Sequence, residues 1–155
     1  MAGIALTDVW RMPAPATLDL RVEGPDVRGL SDGDIRRLFP ERVTGDRLNR
    51  LRNWRRLVVR IDDRTVGVAT YTQTPIETHV PDFAVAIPPQ MEARYENVQA
   101  RVLDSLLAAI EVASLAGGCR RVVLIPQGSA AELERRGYTC IHERCGGSWM
   151  EKSLP

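Results

Sequence analysis

The sequence predicts an α/β fold with six to seven strands and about four helices. Residues 56–61 and 65–72 are rich in β-branched side chains, follow a period of two and are separated by the polar residues 62–64, which is the pattern of a β-hairpin. Residues 93–116 instead place apolar side chains every three or four positions, as one long amphipathic helix does. Strand and helix periods therefore occur in one chain, and the long helix has an apolar face that can cover a sheet.

The other elements are predicted from their start and stop signals. Ser31 and Thr44 have the residue types that cap helix N-termini, and Pro40 ends the first helix. A capping box at 129–132 starts a short helix that ends at Gly137. The predicted strands are 17–22, 56–61, 65–72, 80–87, 121–125, 138–143 and 148–152, and the predicted helices are 31–39, 44–54, 93–116 and 129–137. Residues 1–16 have no periodicity and are expected to be an N-terminal arm, with a single domain at 17–155.

The composition narrows the functional class. The chain has 155 residues, 21 Lys and Arg against 20 Asp and Glu, and a net charge of +1, so no overall field attracts nucleic acid or an anionic membrane. No apolar run is long enough to span a membrane, the start lacks the pattern of a signal peptide, and the three cysteines suggest no disulfide framework. We therefore expect a cytoplasmic protein that binds neither nucleic acid nor membranes.

Four short segments follow one another in a recognisable order. They are residues 82–85 (DFAV), 118–124 (GCRRVVL), 132–138 (ELERRGY) and 149–154 (WMEKSL). They resemble, respectively, the central strand, the end of the long helix with the next strand, the short helix with its Gly-aromatic corner, and the last strand of the GNAT superfamily of N-acyltransferases. The resemblance covers about residues 17–154 and implies a mixed, mostly antiparallel central sheet. It also implies transfer of an acyl group from acetyl-CoA, another acyl-CoA or a carrier-bound thioester to an amine.

The coenzyme A loop departs from the family. Its usual pattern is Gln/Arg-x-x-Gly-x-Gly/Ala, in which backbone N–H groups at a helix start bind the diphosphate. The corresponding residues 88–103 contain no glycine. Three alignments with the three specified positions of this pattern are possible. The first uses Gln90, Ala93 and Tyr95, and the second uses Arg94, Asn97 and Gln99. The third uses Val98, Arg101 and Leu103. The first two fit better than the third, and in the second Asn is the non-glycine residue that best tolerates a left-handed backbone.

Candidate cofactor-binding residues therefore come from the better registers and from the neighbouring strand ends. Glu92 and Glu96 add negative charge there, which opposes diphosphate binding unless Arg94 and Arg101 offset it. The candidates are Val85, Gln90, Arg94, Asn97, Gln99, Arg101 and Gln127.

The resemblance also implies a base that takes the proton of the amine and a tyrosine in the short helix that protonates the departing thiolate. Leu133 occupies that tyrosine's position, so Tyr95, Tyr138 or Cys119 would have to substitute, although Tyr138 matches a position that is usually a packed aromatic. The candidate catalytic residues are Glu77, His79, Asp82 and Tyr138.

Glu77 and His79 are the pair of most interest. They are two positions apart, so in a strand they share one face, and histidine titrates near neutral pH. The alternative is that residues 74–79 are polar because they form an ordinary solvated loop. Cys140, His142 and Cys145 lack the paired spacing of zinc modules, so no metal is expected.

Ten arginines and six acidic residues lie between residues 31 and 64, a local excess of four positive charges. In the family the first two helices border the acceptor site. The resemblance therefore implies a small-molecule or carrier-protein acceptor, and the positive charge suits an acidic one. The alternative is that these arginines only form a solvated helical face. Family members often dimerise, which makes a homodimer one candidate assembly. The main functional hypothesis is an acyltransferase. The alternatives are a catalytically degenerate binding or regulatory protein and other acyl-thioester chemistry such as decarboxylation.

Overall fold

The computed structural model describes residues 18–25, 30–41, 43–125, 130–144 and 147–155, with the side chains of 142–144 and 147–148 left aside. The predicted arm at 1–16, the candidate Gln127 and Cys145 lie outside these residues. The strands are β1 (Leu20–Glu23), β2 (Arg55–Ile61), β3 (Arg64–Gln73), β4 (Glu77–Val85), β5 (Arg121–Leu124), β6 (Thr139–Arg144) and β7 (Gly147–Ser153). The helices are α1 (Asp32–Leu38), α2 (Gly45–Asn53), α3 (Pro89–Arg94), α4 (Val98–Ala116) and α5 (Ala130–Arg135).

The seven strands form one sheet in the order β1-β2-β3-β4-β5-β7-β6. β4 and β5 run parallel, and the other neighbouring pairs are antiparallel. The predicted α/β class and the mixed, mostly antiparallel sheet are thus confirmed. In the part of the chain that the structure describes, no helix is long and apolar enough to cross a membrane.

The start of the first two helices follows the predicted capping. The Ser31 hydroxyl accepts a hydrogen bond from the Asp34 N–H at 3.1 Å, and the Thr44 hydroxyl accepts one from the Arg47 N–H at 3.2 Å. Each bond satisfies an N–H group that has no partner inside its own helix. The chain therefore begins α1 and α2 where the sequence signals place them.

The predicted helix at 93–116 ends where expected but starts later, at Val98, because the chain forms two helices in this region. α3 ends when the Tyr95 N–H donates to the Met91 carbonyl, and Tyr95 is extended with φ −120° and ψ 135°. Asn97 then adopts the left-handed conformation, with φ 53° and ψ 32°, and α4 begins at Val98. The Tyr95 hydroxyl donates to Asp62 Oδ2 at 2.8 Å, which ties the break to the β2–β3 turn. The apolar period continues across the break, so periodicity alone did not reveal it.

The sheet packs on both faces. One face lies against α4 and α5, and its core includes Val59, Phe83, Leu106, Ile110 and Leu124. The other face carries α1 and α2, and its core consists of Ile35, Leu38, Phe39, Leu51, Val58, Val68 and Ala84. On this second face the helices pack against Val58 of β2, Val68 of β3 and Ala84 in the second half of β4.

β4 differs from its prediction and is irregular. It begins at Glu77 rather than at residue 80 and ends at Val85 rather than at residue 87. In the β3–β4 ladder, Thr70 pairs with Asp82 and Thr72 pairs with His79. These two pairs are two residues apart in β3 but three apart in β4, so β4 contains one extra residue. This bulge keeps His79 and Asp82 on the same face, the face that carries α2.

Candidate active site

β4 and β5 separate halfway along β4. Their parallel ladder runs from Glu77 with Arg121 to Val80 with Leu124, and one further bond joins the Ile125 N–H to the Val80 carbonyl. β4 continues to Val85 with pairing only to β3. The described part of the chain therefore has a gap beside the second half of β4, and this gap opens at Pro81.

The backbone of β4 is directed into that gap. The Ala86 N–H donates to the Val66 carbonyl at 2.8 Å, and the ladder pairs Ala84 with Val68. Hydrogen-bonding directions alternate along a strand, so the N–H and C=O groups of Phe83 and Val85 point away from β3. An extended ligand with amide groups can use them as a neighbouring strand would.

The N-terminal part of α4 lies near the far end of the gap, because Val102 packs against Gly67 and Gly67 pairs with Val85. The first bond within the helix joins the Arg101 N–H to the Asn97 carbonyl at 3.0 Å. The N–H groups of Val98, Gln99 and Ala100 precede it and have no acceptor inside the helix. Because α4 is 19 residues long, this end carries the positive pole of a full helix dipole.

A cavity of about 410 Å³ adjoins this helix end. Its described lining is Glu92, Tyr95, Asn97, Val98, Gln99, Ala100, Leu103 and Glu132. Two of the predicted cofactor residues, Asn97 and Gln99, are therefore in the lining. Gln90, Arg94 and Arg101 are exposed but are not part of it, and Val85 is half-buried at the end of β4. The left-handed backbone of Asn97 favours the register in which Arg94, Asn97 and Gln99 match the family pattern.

The charge of this cavity is unusual for a diphosphate site. Its described lining contains Glu92 and Glu132 and no basic residue. Glu132 is neutralised by Arg135 at 2.6 Å and Arg136 at 3.2 Å, whereas the Arg94 guanidinium lies over the Tyr95 ring at 5.3 Å. The helix N–H groups favour an anion, and Glu92 opposes one.

Glu77 and His79 form a close pair at the start of β4. His79 Nε2 lies 2.6 Å from Glu77 Oε1, and both side chains are on the face that carries α2. Glu77 is buried, while the His79 side chain is 26% exposed. The two residues belong to a strand, so the solvated-loop alternative for them is wrong.

Arg121 completes this pair and was missed from the sequence. Its Nε donates to Glu77 Oε2 at 2.8 Å, a second donation comes from Nη2, and its Nη1 lies 3.5 Å from Glu151 Oε2. Burial alone raises the pKa of Glu77, but the hydrogen bonds from Arg121 and His79 outweigh it, so that the pKa is below its ordinary value. The signal in the sequence is the position of Arg121 as the first residue of the strand that pairs with Glu77.

Trp149 borders the same pair from β7. Its ring and that of His79 are in an edge-to-face arrangement, with centroids 6.2 Å apart. β5 separates the two strands, because Val123 pairs with His79 of β4 and with Glu151 of β7. His79 therefore sits between an aromatic ring and a carboxylate at the point where β4 and β5 separate.

Asp82 is engaged in a different way. It is fully buried and accepts hydrogen bonds from Arg47 Nε at 3.1 Å, from Arg50 at 2.7 Å and 3.0 Å, and from the Thr70 hydroxyl at 2.6 Å. The hydrogen bond with Asp82, together with nearby negative charge, raises the pKa of Arg50 against the opposing effect of burial. These contacts join α2 to β4 and occupy both carboxylate oxygens, which suits a structural role better than proton transfer.

The candidate proton donors are also engaged or buried. Tyr138 is buried, no partner for its hydroxyl is found among the described residues, and burial raises its pKa. Tyr95 donates to Asp62, the Cys119 thiol donates to the Thr74 carbonyl at 3.3 Å, and Leu133 is in the core. A raised pKa makes a weaker acid, so the structure offers no better donor than the sequence did.

The arginine-rich segment is largely paired. Arg47 and Arg50 bind Asp82, and three further ion pairs join Arg37 to Asp34, Arg52 to Asp32 and Arg60 to Glu23. Arg36, Arg55 and Arg64 have no ion pair among the described residues. Cys119 is buried and Cys140 is exposed, and the described residues contain no group of three metal-ligating side chains.

Comparison with known proteins adds the fold relationship. No protein-family model matches the chain, and no curated protein sequence matches it significantly. An acetyltransferase from Streptococcus agalactiae superposes with a TM-score of 0.65 at 13% identity, over 87% of this chain and 98% of that one. A GNAT family acetyltransferase from Elizabethkingia anophelis with acetyl-CoA bound has a TM-score of 0.59 at 9% identity, over 88% and 99%.

A third similar structure is N-acetylglutamate synthase from Neisseria gonorrhoeae complexed with coenzyme A and N-acetyl-glutamate. Its TM-score is 0.60 at 14% identity over 90% of this chain, and the chain spans 36% of that protein's length. This chain therefore shares its fold with these three proteins. Specifically, the chain has the GNAT N-acyltransferase fold, as its sequence motifs suggested.

Proposed function

We propose that this protein is an acyltransferase that moves an acetyl or other acyl group from acyl-CoA, or from a carrier-bound thioester, to an amine. The observation that carries the proposal is the Glu77–His79 pair, 2.6 Å apart, in which His79 lies two residues before Pro81, where β4 and β5 separate. A proton acceptor next to an opening with unpaired strand backbone is what direct attack on a thioester requires. Similar folds in complex with coenzyme A or acetyl-CoA support the choice of donor.

The donor has a defined path in this proposal. The pantetheine arm lies along the open edge of β4 and hydrogen-bonds with Phe83 and Val85. The diphosphate meets the free N–H groups at the start of α4, where Asn97 and Gln99 line the cavity. The thioester then ends near Pro81, beside His79.

The contact with Glu77 decides which ring nitrogen of His79 can act as the base. The pKa of Glu77 is below its ordinary value, so at neutral pH Glu77 is a carboxylate that can only accept a hydrogen bond. The proton in the 2.6 Å contact is therefore on His79 Nε2, and Nδ1 is the ring nitrogen that takes up the proton of the amine in this proposal. Arg121 is a positioning residue, because it holds Glu77 charged and oriented.

The reaction balances without a further reagent. The neutral amine attacks the thioester carbonyl carbon, a C–N bond forms, the C–S bond breaks, and the proton of the amine passes to His79. The departing thiolate takes up one proton from solvent, and His79 returns its proton to solvent. A thiol has a pKa of about 8.5, so its thiolate leaves without an acid at the position of Leu133.

The test combines binding and turnover. We expect acetyl-CoA binding by titration calorimetry and release of free thiol with an amine panel. In His79→Gln, binding should be retained and the rate of thiol release lowered roughly a hundredfold, the usual contribution of a general base. Arg64→Gln is the control, because Arg64 is exposed at the opposite end of β3. Absence of binding at millimolar acetyl-CoA would remove the proposal.

A binding or regulatory protein without turnover is the second candidate. Two observations favour it, namely the acidic lining of the cavity at α4 and the buried Leu133 at the position of the proton donor. This candidate predicts that acetyl-CoA binds and that no amine in the panel accelerates thiol release. We also propose that the acceptor can be attached to a carrier protein and that the chain can form a homodimer. Cross-linking tests the first proposal, and the mass in solution tests the second.

A further inference from the structure

A second cavity lies at the end of the sheet where β2 begins and β3 ends. Its volume is about 440 Å³, and its described lining is Trp54, Arg55, Tyr71, Thr72 and Gln73. The β2–β3 ladder ends with Arg55 opposite Tyr71, so Thr72 and Gln73 extend beyond β2. Within the described residues, the cavity therefore follows a free edge of β3.

This cavity is one strand away from His79. Thr72 lines it and is also the direct partner of His79 in the β3–β4 ladder. Partners in an antiparallel pair share a face with their Cβ atoms about 5 Å apart. The gap beside Pro81–Val85 lies at the other end of β4, so a ligand in this cavity and a donor in the gap approach His79 from opposite ends.

The residues that line this cavity favour a ligand with a negative charge and a flat body. The exposed guanidinium of Arg55 has no ion pair among the described residues, and the described lining contains no acid. Trp54 is half-buried, and the Arg50 guanidinium lies 6.0 Å from its ring while Asp82 binds that same guanidinium. The cavity thus combines the Trp54 ring with one positive charge that has no ion pair among the described residues.

The two ends of the cavity face different sides of the sheet. Arg55 pairs with Tyr71, whose ring belongs to the core under α4, whereas Thr72 shares the opposite face with His79. A ligand that crosses the free edge of β3 would therefore have one end near Arg55 and the other near His79. A flat or slender molecule with a functional group at each end fits this arrangement.

We propose that this cavity binds the acceptor, and that the acceptor is a primary amine whose far end carries a carboxylate. Arg55 binds the carboxylate through its guanidinium fork, the body of the molecule packs on Trp54, and the amine reaches His79 across Thr72. The placement of the amine at His79 rests on the proposed function. Binding of the carboxylate by Arg55 does not depend on acyl transfer.

The kinetic test compares two amines of one shape. With acetyl-CoA as donor, para-(aminomethyl)benzoate should have a higher kcat/KM than para-methylbenzylamine, which lacks the carboxylate. Arg55→Gln should lower kcat/KM for the first amine about tenfold, as expected for one charge-assisted contact, and leave the second unchanged. Arg64→Gln, with an exposed arginine at the other end of β3, should alter neither.

A binding test without donor separates this inference from the proposed function. By calorimetry or NMR, para-methylbenzoate should bind the wild type and bind Arg55→Gln about tenfold more weakly, with Arg64→Gln equal to wild type. Arginine-dependent binding without any acyl transfer would keep the carboxylate site and remove the acyltransferase. Acyl transfer that treats both amines alike, or an equal loss for both in Arg55→Gln, would keep the acyltransferase and overturn the site.

Discussion

Arg121 Nε lies 2.8 Å from Glu77 Oε2 across the parallel ladder of β4 and β5. The same carboxylate contacts His79 through its other oxygen. One buried acid therefore joins a permanent cation on β5 to a titratable ring on β4.

Replacing Arg121 should impair the proposed base without removing it. In Arg121→Gln, burial is no longer offset by the guanidinium, so the pKa of Glu77 rises and the acid limb of the kcat profile moves to higher pH. We expect about a tenfold loss of kcat at neutral pH with little change in KM, since a general base contributes roughly a hundredfold or more. The control is Arg120→Gln, whose exposed side chain is the neighbour in sequence. An unchanged pH profile would show that Arg121 is only structural.

Glu77 should also contribute to acid stability. Its folded pKa is below the ordinary value of 4.5, so its carboxylate stabilises the fold above the unfolded pKa, and this contribution is lost as pH falls through the folded pKa. The Tm of the wild type, followed by circular dichroism, should therefore fall below about pH 4.5. In Arg121→Gln that fall should be smaller, because the pKa difference between the folded and unfolded states shrinks. Equal slopes in Arg121→Gln and Arg120→Gln would contradict the role given to this ion pair.

Asp82 should matter for stability. Asp82→Asn leaves Arg47 and Arg50 without their carboxylate at a fully buried position, which should lower the free energy of unfolding by about 3 kcal/mol. Urea denaturation measures this difference. Asp46→Asn, an exposed acid at the start of α2, should change it by less than about 0.5 kcal/mol. A stable Asp82→Asn protein with low activity would instead point to proton transfer at Asp82.

Glu92 should weaken the binding of coenzyme A. It is exposed in the cavity lining at the start of α4, where a diphosphate would be bound. Glu92→Gln should therefore bind coenzyme A about threefold more tightly at low ionic strength, and the gain should shrink as salt is added. Glu134→Gln, on α5 but outside the described lining, serves as the control in the same calorimetric titration. An unchanged affinity in Glu92→Gln would place the diphosphate elsewhere.

Asn97 should tolerate glycine and reject branched residues. At φ 53° glycine has no steric cost, whereas a β-branched side chain is strained. We expect Asn97→Gly to keep the stability of the wild type within about 0.5 kcal/mol and Asn97→Val to lose about 1–2 kcal/mol. Thermal or urea unfolding measures both. Equal stability of the two variants would mean that α4 begins without a left-handed residue.

The fold was predictable from local patterns, and the site only partly so. The hairpin at 56–72 and the capping residues Ser31 and Thr44 are local signals, and the structure follows them. Glu77 and His79 are close in sequence, so their shared face followed from strand geometry. Arg121 is 44 residues from Glu77, and only the order of strands in the sheet brings them together.

The missed break in the long helix has a similar cause. Residues on both sides of Asn97 keep an apolar face, and the bond from Tyr95 to Asp62 joins positions 33 residues apart. No local pattern reports such a bond. The unpaired edge of β3 next to Trp54 was hidden for the same reason, because it depends on where β2 starts relative to β3.

The gap beside β4 also has a consequence for self-association. Its free N–H and C=O groups form an inner sheet edge, and such an edge can recruit any extended peptide, including one from another copy of the chain. Pro81 stands at the opening and, as a proline, has no N–H to donate to an added strand. The residue that borders the opening for a slender ligand is thus also one that disfavours strand addition.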